Sequence, residues 1–256
     1  MKFSRLNAIL LTALVTLITW SCGSKKEENT SEEFNQAEQT LQDQIKDVVY
    51  NIPSPTEIPY LLQATGAEFN PTLINDRKKV DQYASISDKA ALNLGVYAAD
   101  IGYLSSYDKT QEAIDYLNAA KSLADNIGVI GAFDTDLLTK FEANIANKDS
   151  LGALLNATVQ KTDRYLKDDS RNKLASLMIT GSFVEGLYIS TGLIKSYPKN
   201  LLPDDARNLV LTPLIRVILE QQKSVSELLK MLSTVEQTEP VASIVADLTA
   251  LEASYR

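Results

Sequence analysis

The sequence predicts an all-α fold, an antiparallel helical bundle or array, on three observations. Beyond residue 33, apolar residues recur at intervals of three and four, the period of one helix face. No stretch alternates apolar and polar residues as a half-buried strand would. Glycine and proline cut the chain into helix-length pieces, joined by loops short enough to make neighbours antiparallel. At the centre of this pattern lies Ser176–Leu193 (SLMITGSFVEGLYISTGL), a long apolar stretch with a single carboxylate, Glu185.

The elements follow in chain order. Lys2 and Arg5 precede an uncharged apolar run, Ala8–Trp20, which is shorter than the roughly 20 residues a helix needs to span a bilayer. This reads as an export signal over residues 1–21, removed before folding. The only cysteine of the chain, Cys22, follows at once and leads into the polar run GSKKEENTSEE. That arrangement resembles a bacterial lipoprotein signal of the Bacteroidota type, in which the cysteine becomes the lipidated first residue. Thr19 and Trp20 depart from the usual residues ahead of the cysteine, and Lys25–Glu28 is compatible with export to the cell surface. The resemblance implies a membrane anchor at Cys22 and a place in the cell envelope, at the outer membrane, on its periplasmic side or at the surface. Residues 22–32 then form a tether; at about 5–6 Å × √n for a flexible chain, it reaches only about 17 Å.

Residues 33–256 read as a single helical domain. Phe34, Ala37, Leu41, Ile45 and Val48 mark an amphipathic helix. Ser54 or Thr56 is placed to cap a short helix through Ala64, and Gly66 to end it. Asn75–Tyr83 reads as a polar connector whose Arg77-Lys78-Lys79 cluster is a solvated turn. Ser87 is expected to cap a helix to Tyr107, and Asp108 or Thr110 the next, to Ile127, ahead of a turn at Gly128 and Gly131. Asp134 and Asp149 or Ser150 open two further helices. Asp168-Asp169-Ser170 opens the long apolar helix, which lasts to Tyr197. After a loop at Pro198 and Pro203, one helix runs from Asp204 to Val235, bent near Pro213, and Pro240 opens the last.

Two stretches share a register. Asp100-Ile-Gly-Tyr103 lies on Glu185-Gly-Leu-Tyr188 at an offset of 85. The echo raises two related units, 87–168 and 171–256, each opening with its most apolar helix. On the first helix Tyr97, Tyr103 and Tyr107 share the side of Asp100, while Ala91, Gly95, Ala98, Gly102 and Ser105 form a small-residue seam on the other. On the second, Gly181, Ser182 and Gly192 stand on the side of Glu185. That space must be filled by a neighbouring backbone, by water or by a ligand. Two readings stay open for the acids. They tie helices together through buried partners, with Tyr103 and Tyr188 as the nearest donors; or they line an inter-helix pocket walled by Tyr97, Tyr103, Tyr107 and Tyr188, suited to a sugar, a peptide or an amine.

Composition excludes several chemistries. The formal net charge is −8, and loss of Lys2 and Arg5 makes it more negative; without a basic stripe, nucleic acid is not an expected partner. There is no histidine, and the one cysteine is spoken for, which removes Ser-His and Cys-His nucleophiles and common zinc sites. No phosphate-binding glycine loop is present, Asp134–Asp136 and Asp168-Asp169 read as helix caps, and neither a metal nor a cofactor is implied. Paired carboxylates, as in a glycoside hydrolase, are the catalytic chemistry left. The expectation is a lipid-anchored binding or assembly module for an envelope protein or a small ligand, with a carboxylate hydrolase as the lesser alternative. YNIPSP, LNLGVYAADIGY and Asn147–Leu151 also resemble helical lipoproteins of Bacteroidota over residues 50–195, a resemblance that implies no activity.

Overall fold

A computed structural model describes residues 57–129, 139–140, 143–144 and 172–255. The chain divides between Gln39 and Thr40, and every described residue lies in the C-terminal unit. The expected signal, tether, Phe34–Val48 helix and the helices from Asp134 to Lys167 fall outside the described residues, apart from helical turns at 139–140 and 143–144. Among the described residues there is no strand; the fold is all-α.

The helices are α1 (Glu57–Ala64), α2 (Val80–Ala84), α3 (Ser87–Ser106), α4 (Thr110–Asn126), α5 (Asn172–Ser196), α6 (Asp204–Leu219), α7 (Gln222–Ser233) and α8 (Glu239–Ser254). Gly66 ends α1 at φ +88° and Gly128 follows α4 at φ +71°, both left-handed as a C-terminal glycine allows. Other boundaries differ from expectation. Ser87 is the first residue of α3 and caps nothing, because the chain enters from an extended Ile86. Asp108 does not cap α4; it takes φ +57° and reverses the chain between α3 and α4, a conformation its short side chain tolerates. Pro213 lies inside α6 without ending it, on the same exposed side as Leu209, whose carbonyl its ring leaves without a donor. The break comes instead at Glu220-Gln221, where Gln221 returns its side-chain amide to the Val217 carbonyl at 3.0 Å.

α3 and α5 form the centre, and each packs into its own satellites. α3 and α4 make a hairpin whose connection is three residues long, and Tyr97 meets Tyr116 edge-on at 5.7 Å between ring centroids. α7 buries Val225, Leu228, Met231 and Leu232, one helical face, against α5 and α8. α1 and α6 close over the C-terminal half of α5 through Leu62, Leu193 and Leu214. Among the described residues α5 is the one helix long and apolar enough to cross a membrane; here it is the core helix of the fold.

The α3–α4 neighbours are antiparallel, as expected, but the central pair is not. Lys173 reaches Asp88 at 3.2 Å, Gly95 lies over Met178 and Ser182, Gly181 over Leu92 and Val96, and Asp100 meets Glu185. Partner numbers rise together, so α3 and α5 run parallel at an offset close to 85, the offset of the sequence echo. A parallel neighbour needs a long connection, and the chain from 107 to 171 supplies it.

The crossing is a backbone contact. A Cβ on Gly95 would stand 1.9 Å from the Met178 carbonyl oxygen, and one on Gly181 would stand 2.0 Å from that of Leu92. No side chain fits there. At its N-terminal end the pair is tied by Asp88, buried and shared between Lys173 and the Thr238 hydroxyl at 2.6 Å, ahead of α8. Lys173 also pairs with Glu236 at 3.0 Å.

Candidate functional site

The contact face of α3 runs through Leu92, Gly95, Val96 and Asp100. The expected seam opposite Asp100 is therefore corrected: Gly95 and Asp100 both turn toward α5, and Ala98 is exposed. Helices in backbone contact present a wider arc to each other than a side-chain seam does. The space beside Glu185 is filled as well. The α3 backbone occupies it at Gly181, and Leu73 occupies it at Gly192, where a Cβ would lie 2.5 Å from Leu73 Cδ2.

Asp100 is fully buried and Glu185 is 7% exposed. Their carboxyls are in hydrogen-bond contact, which two carboxylates can make only by sharing a proton. Burial, and then the charge of Glu185, push Asp100 up to about 8; burial likewise pushes Glu185 up to about 7. Opposing the rise, Asp100 Oδ2 accepts the Asn75 backbone N–H at 3.3 Å, and the Asn75 side chain favours the charged form of both acids. One oxygen of each acid, Asp100 Oδ1 and Glu185 Oε1, is buried without a partner.

Two of the four tyrosines expected as pocket walls, Tyr97 and Tyr103, are engaged by this chain's own residues 70–76. Tyr103 is fully buried; its hydroxyl accepts the Asn70 N–H at 2.8 Å and faces the Asn70 carbonyl at 3.3 Å. Tyr97, also fully buried, donates to the Asp76 carbonyl at 3.3 Å, and Tyr116 donates to that of Asn75. Tyr107 packs on Phe69 and Tyr103, with ring centroids at 5.7 and 5.2 Å, and its buried hydroxyl has no partner. Tyr188 is 55% exposed and stands apart from the buried pair. The expectation that Tyr103 and Tyr188 serve the two acids is thus corrected: one serves Asn70, and the other faces solvent.

The polar connector read at Asn75–Tyr83 is structured, as a 3-10 turn running into α2, and with residues 70–74 ahead of it forms a strap. Asn70 caps a 3-10 turn at Pro71–Leu73 by accepting the Thr72 N–H at 3.0 Å, and Asp76 caps a second at Arg77–Lys79 through the Lys78 N–H at 3.0 Å. Arg77 then pairs with Asp115 of α4. Asn75 is the site residue that sequence reasoning missed. The available signal was two Asx residues, Asn70 and Asp76, flanking a short apolar run. Replacing Tyr103 with Phe should lower stability by about 1–3 kcal/mol, because both backbone groups of Asn70 lose their partner; chemical denaturation measures this. Chemically, the site can hold or release a proton, but it has no solvent-open acid and no cluster of three acidic, histidine or cysteine ligands among the described residues. No protein-family model, curated protein or solved structure matches the chain.

Proposed function

We propose that this protein is a lipid-anchored, non-catalytic assembly module of the bacterial cell envelope. The observation that carries the non-catalytic reading is the closure of the carboxyl pair: Asp100 is fully buried, Glu185 nearly so, and the two touch each other. A glycoside hydrolase keeps its two acids about 5–10 Å apart, with the sugar between them. Assembly is supported by apolar surface elsewhere. On α6, Leu209 is 78% and Leu219 is 62% exposed, and Ile215 is exposed beside them. The anchor rests on the lipoprotein-like pattern at Cys22. A second reading, uptake of a small amine between the acids, is favoured by the two unpartnered oxygens; such a ligand would have to displace residues 70–76.

A photo-crosslinking residue placed at Leu209, in cells carrying the full chain, tests the proposal. A discrete heavier adduct is expected at Leu209, absent when the same residue stands at exposed Asp247 and lost on Leu219→Asp. No adduct at Leu209 contradicts the assembly role. Mass spectrometry of the membrane-extracted protein should find an acylated Cys22 at its N-terminus, and an unmodified Cys22 contradicts the anchor.

A further inference from the structure

We infer that the Asp100–Glu185 pair is the catch of a pH-sensitive latch, closed over the central helices by residues 70–76 while the two carboxyls share a proton and released when both are charged. On two sides of the pair stand α3 and α5, whose backbones touch at Gly95 and Gly181, N-terminal to the two acids. The remaining cover is the strap at 70–76, two short turns whose Pro71, Thr72 and Asp76 are exposed and whose one buried residue is Leu73. Solvent can therefore reach the two unpartnered carboxyl oxygens by the least rearrangement if this strap lifts.

Among the described residues no cation faces the pair, and what favours a second charge is the neutral Asn75, through its backbone N–H and its side chain. Tyr83 of α2, Tyr97 of α3 and Tyr116 of α4 face it with rings and hydroxyls, and their own ionisation is opposed by burial and by Asp100. Asp76 of the strap acts on Tyr83 and Tyr97, and Arg77 is held by Asp115. Once both acids ionise, two like charges lie in contact in a site stripped of water, which is unfavourable until water enters. The charged tie nearest to residues 70–76 is Arg77 with Asp115, at the end of the strap. The strap is bound by the Asn75 N–H to Asp100 and the Asn75 side chain to both acids, by neutral tyrosine hydroxyls and by the packing of Leu73.

Hydrogen exchange with mass spectrometry on the full chain tests the latch, with rates corrected for the intrinsic pH dependence of exchange. Protection of the 70–76 amides should fall at least about tenfold between pH 5.5 and 8.5, and by more than the α7 amides lose with the global stability, as a local opening requires. In Asp100→Asn, whose amide can donate to Glu185 and whose carbonyl can accept from Asn75, protection should stay level with pH. Glu185→Gln should behave the same way and serves if the first variant folds poorly. Three results overturn the latch: level protection in the wild type, an equal fall in α7, or an undiminished fall in both variants.

Discussion

Replacing either Gly95 or Gly181 with alanine should cost more than about 3 kcal/mol of stability, beyond the usual range for an overpacked core. The sign is what makes this informative. At an exposed helix position, glycine to alanine stabilises by up to about 1 kcal/mol, since alanine is the better helix former. Here the new methyl would stand 1.9 Å from the Met178 oxygen or 2.0 Å from the Leu92 oxygen, and neither helix can yield without separating from the other. One separation relieves both clashes, so the double variant should cost clearly less than the sum of the singles. Chemical denaturation of the three variants measures it. Additive costs, or stabilisation by either single variant, would mean that the helices do not touch there. Gly192→Ala should be milder, because its methyl meets the movable end of Leu73.

The second large effect is on pH. Both acids are raised by burial above their ordinary values, Asp100 to about 8 and Glu185 to about 7, with coupling between them. The unfolded chain gives up these protons near pH 4, at ~3.9 for Asp and ~4.3 for Glu. Between there and pH 8 the folded state holds protons that the unfolded state lacks, so stability from this source is fully present in acid and is lost as pH rises. Each tenfold change in proton affinity is worth about 1.4 kcal/mol, and the loss between pH 5 and 9 amounts to several kcal/mol. Asp100→Asn should remove most of that slope: close to wild type at pH 5, and more stable than wild type at pH 9. Thermal melts across this range read the difference directly, and parallel curves for the two proteins would contradict it.

Much of this arrangement can be read from the sequence, and the rest cannot for identifiable reasons. Asp100 and Glu185 stand out as lone acids in helices that are otherwise apolar, and burial of such helices follows from their composition. Gly95 and Gly181 are visible as small residues, but which helix approaches them is not. The parallel sense of α3 and α5 depends on where the intervening 65-odd residues carry the chain, a long-range matter that local period does not encode. The echo at offset 85 marks the true register of the pair, yet it misplaces the tyrosines. Tyr103 lies beneath the strap, while Tyr188 at the corresponding turn is 55% exposed, so equivalent letters meet different surroundings. Asn75 escapes because it acts 25 residues away from Asp100 in sequence through a backbone N–H, a group that every residue but proline carries. The helix runs through Pro213 as the sequence reading has it, and what that reading misses is the break at Glu220-Gln221, which no glycine or proline marks.

The central claim is that one proton is shared between two touching carboxyls in the core. Carbon-13 NMR of the side-chain carboxyls of Asp100 and Glu185, followed from pH 4 to 10 in the folded protein, tests it most directly. The two signals should move together and well above the ordinary carboxylate range, and Glu185→Gln should turn the Asp100 signal into a single, uncoupled transition. Independent titrations, both near pH 4, would contradict it.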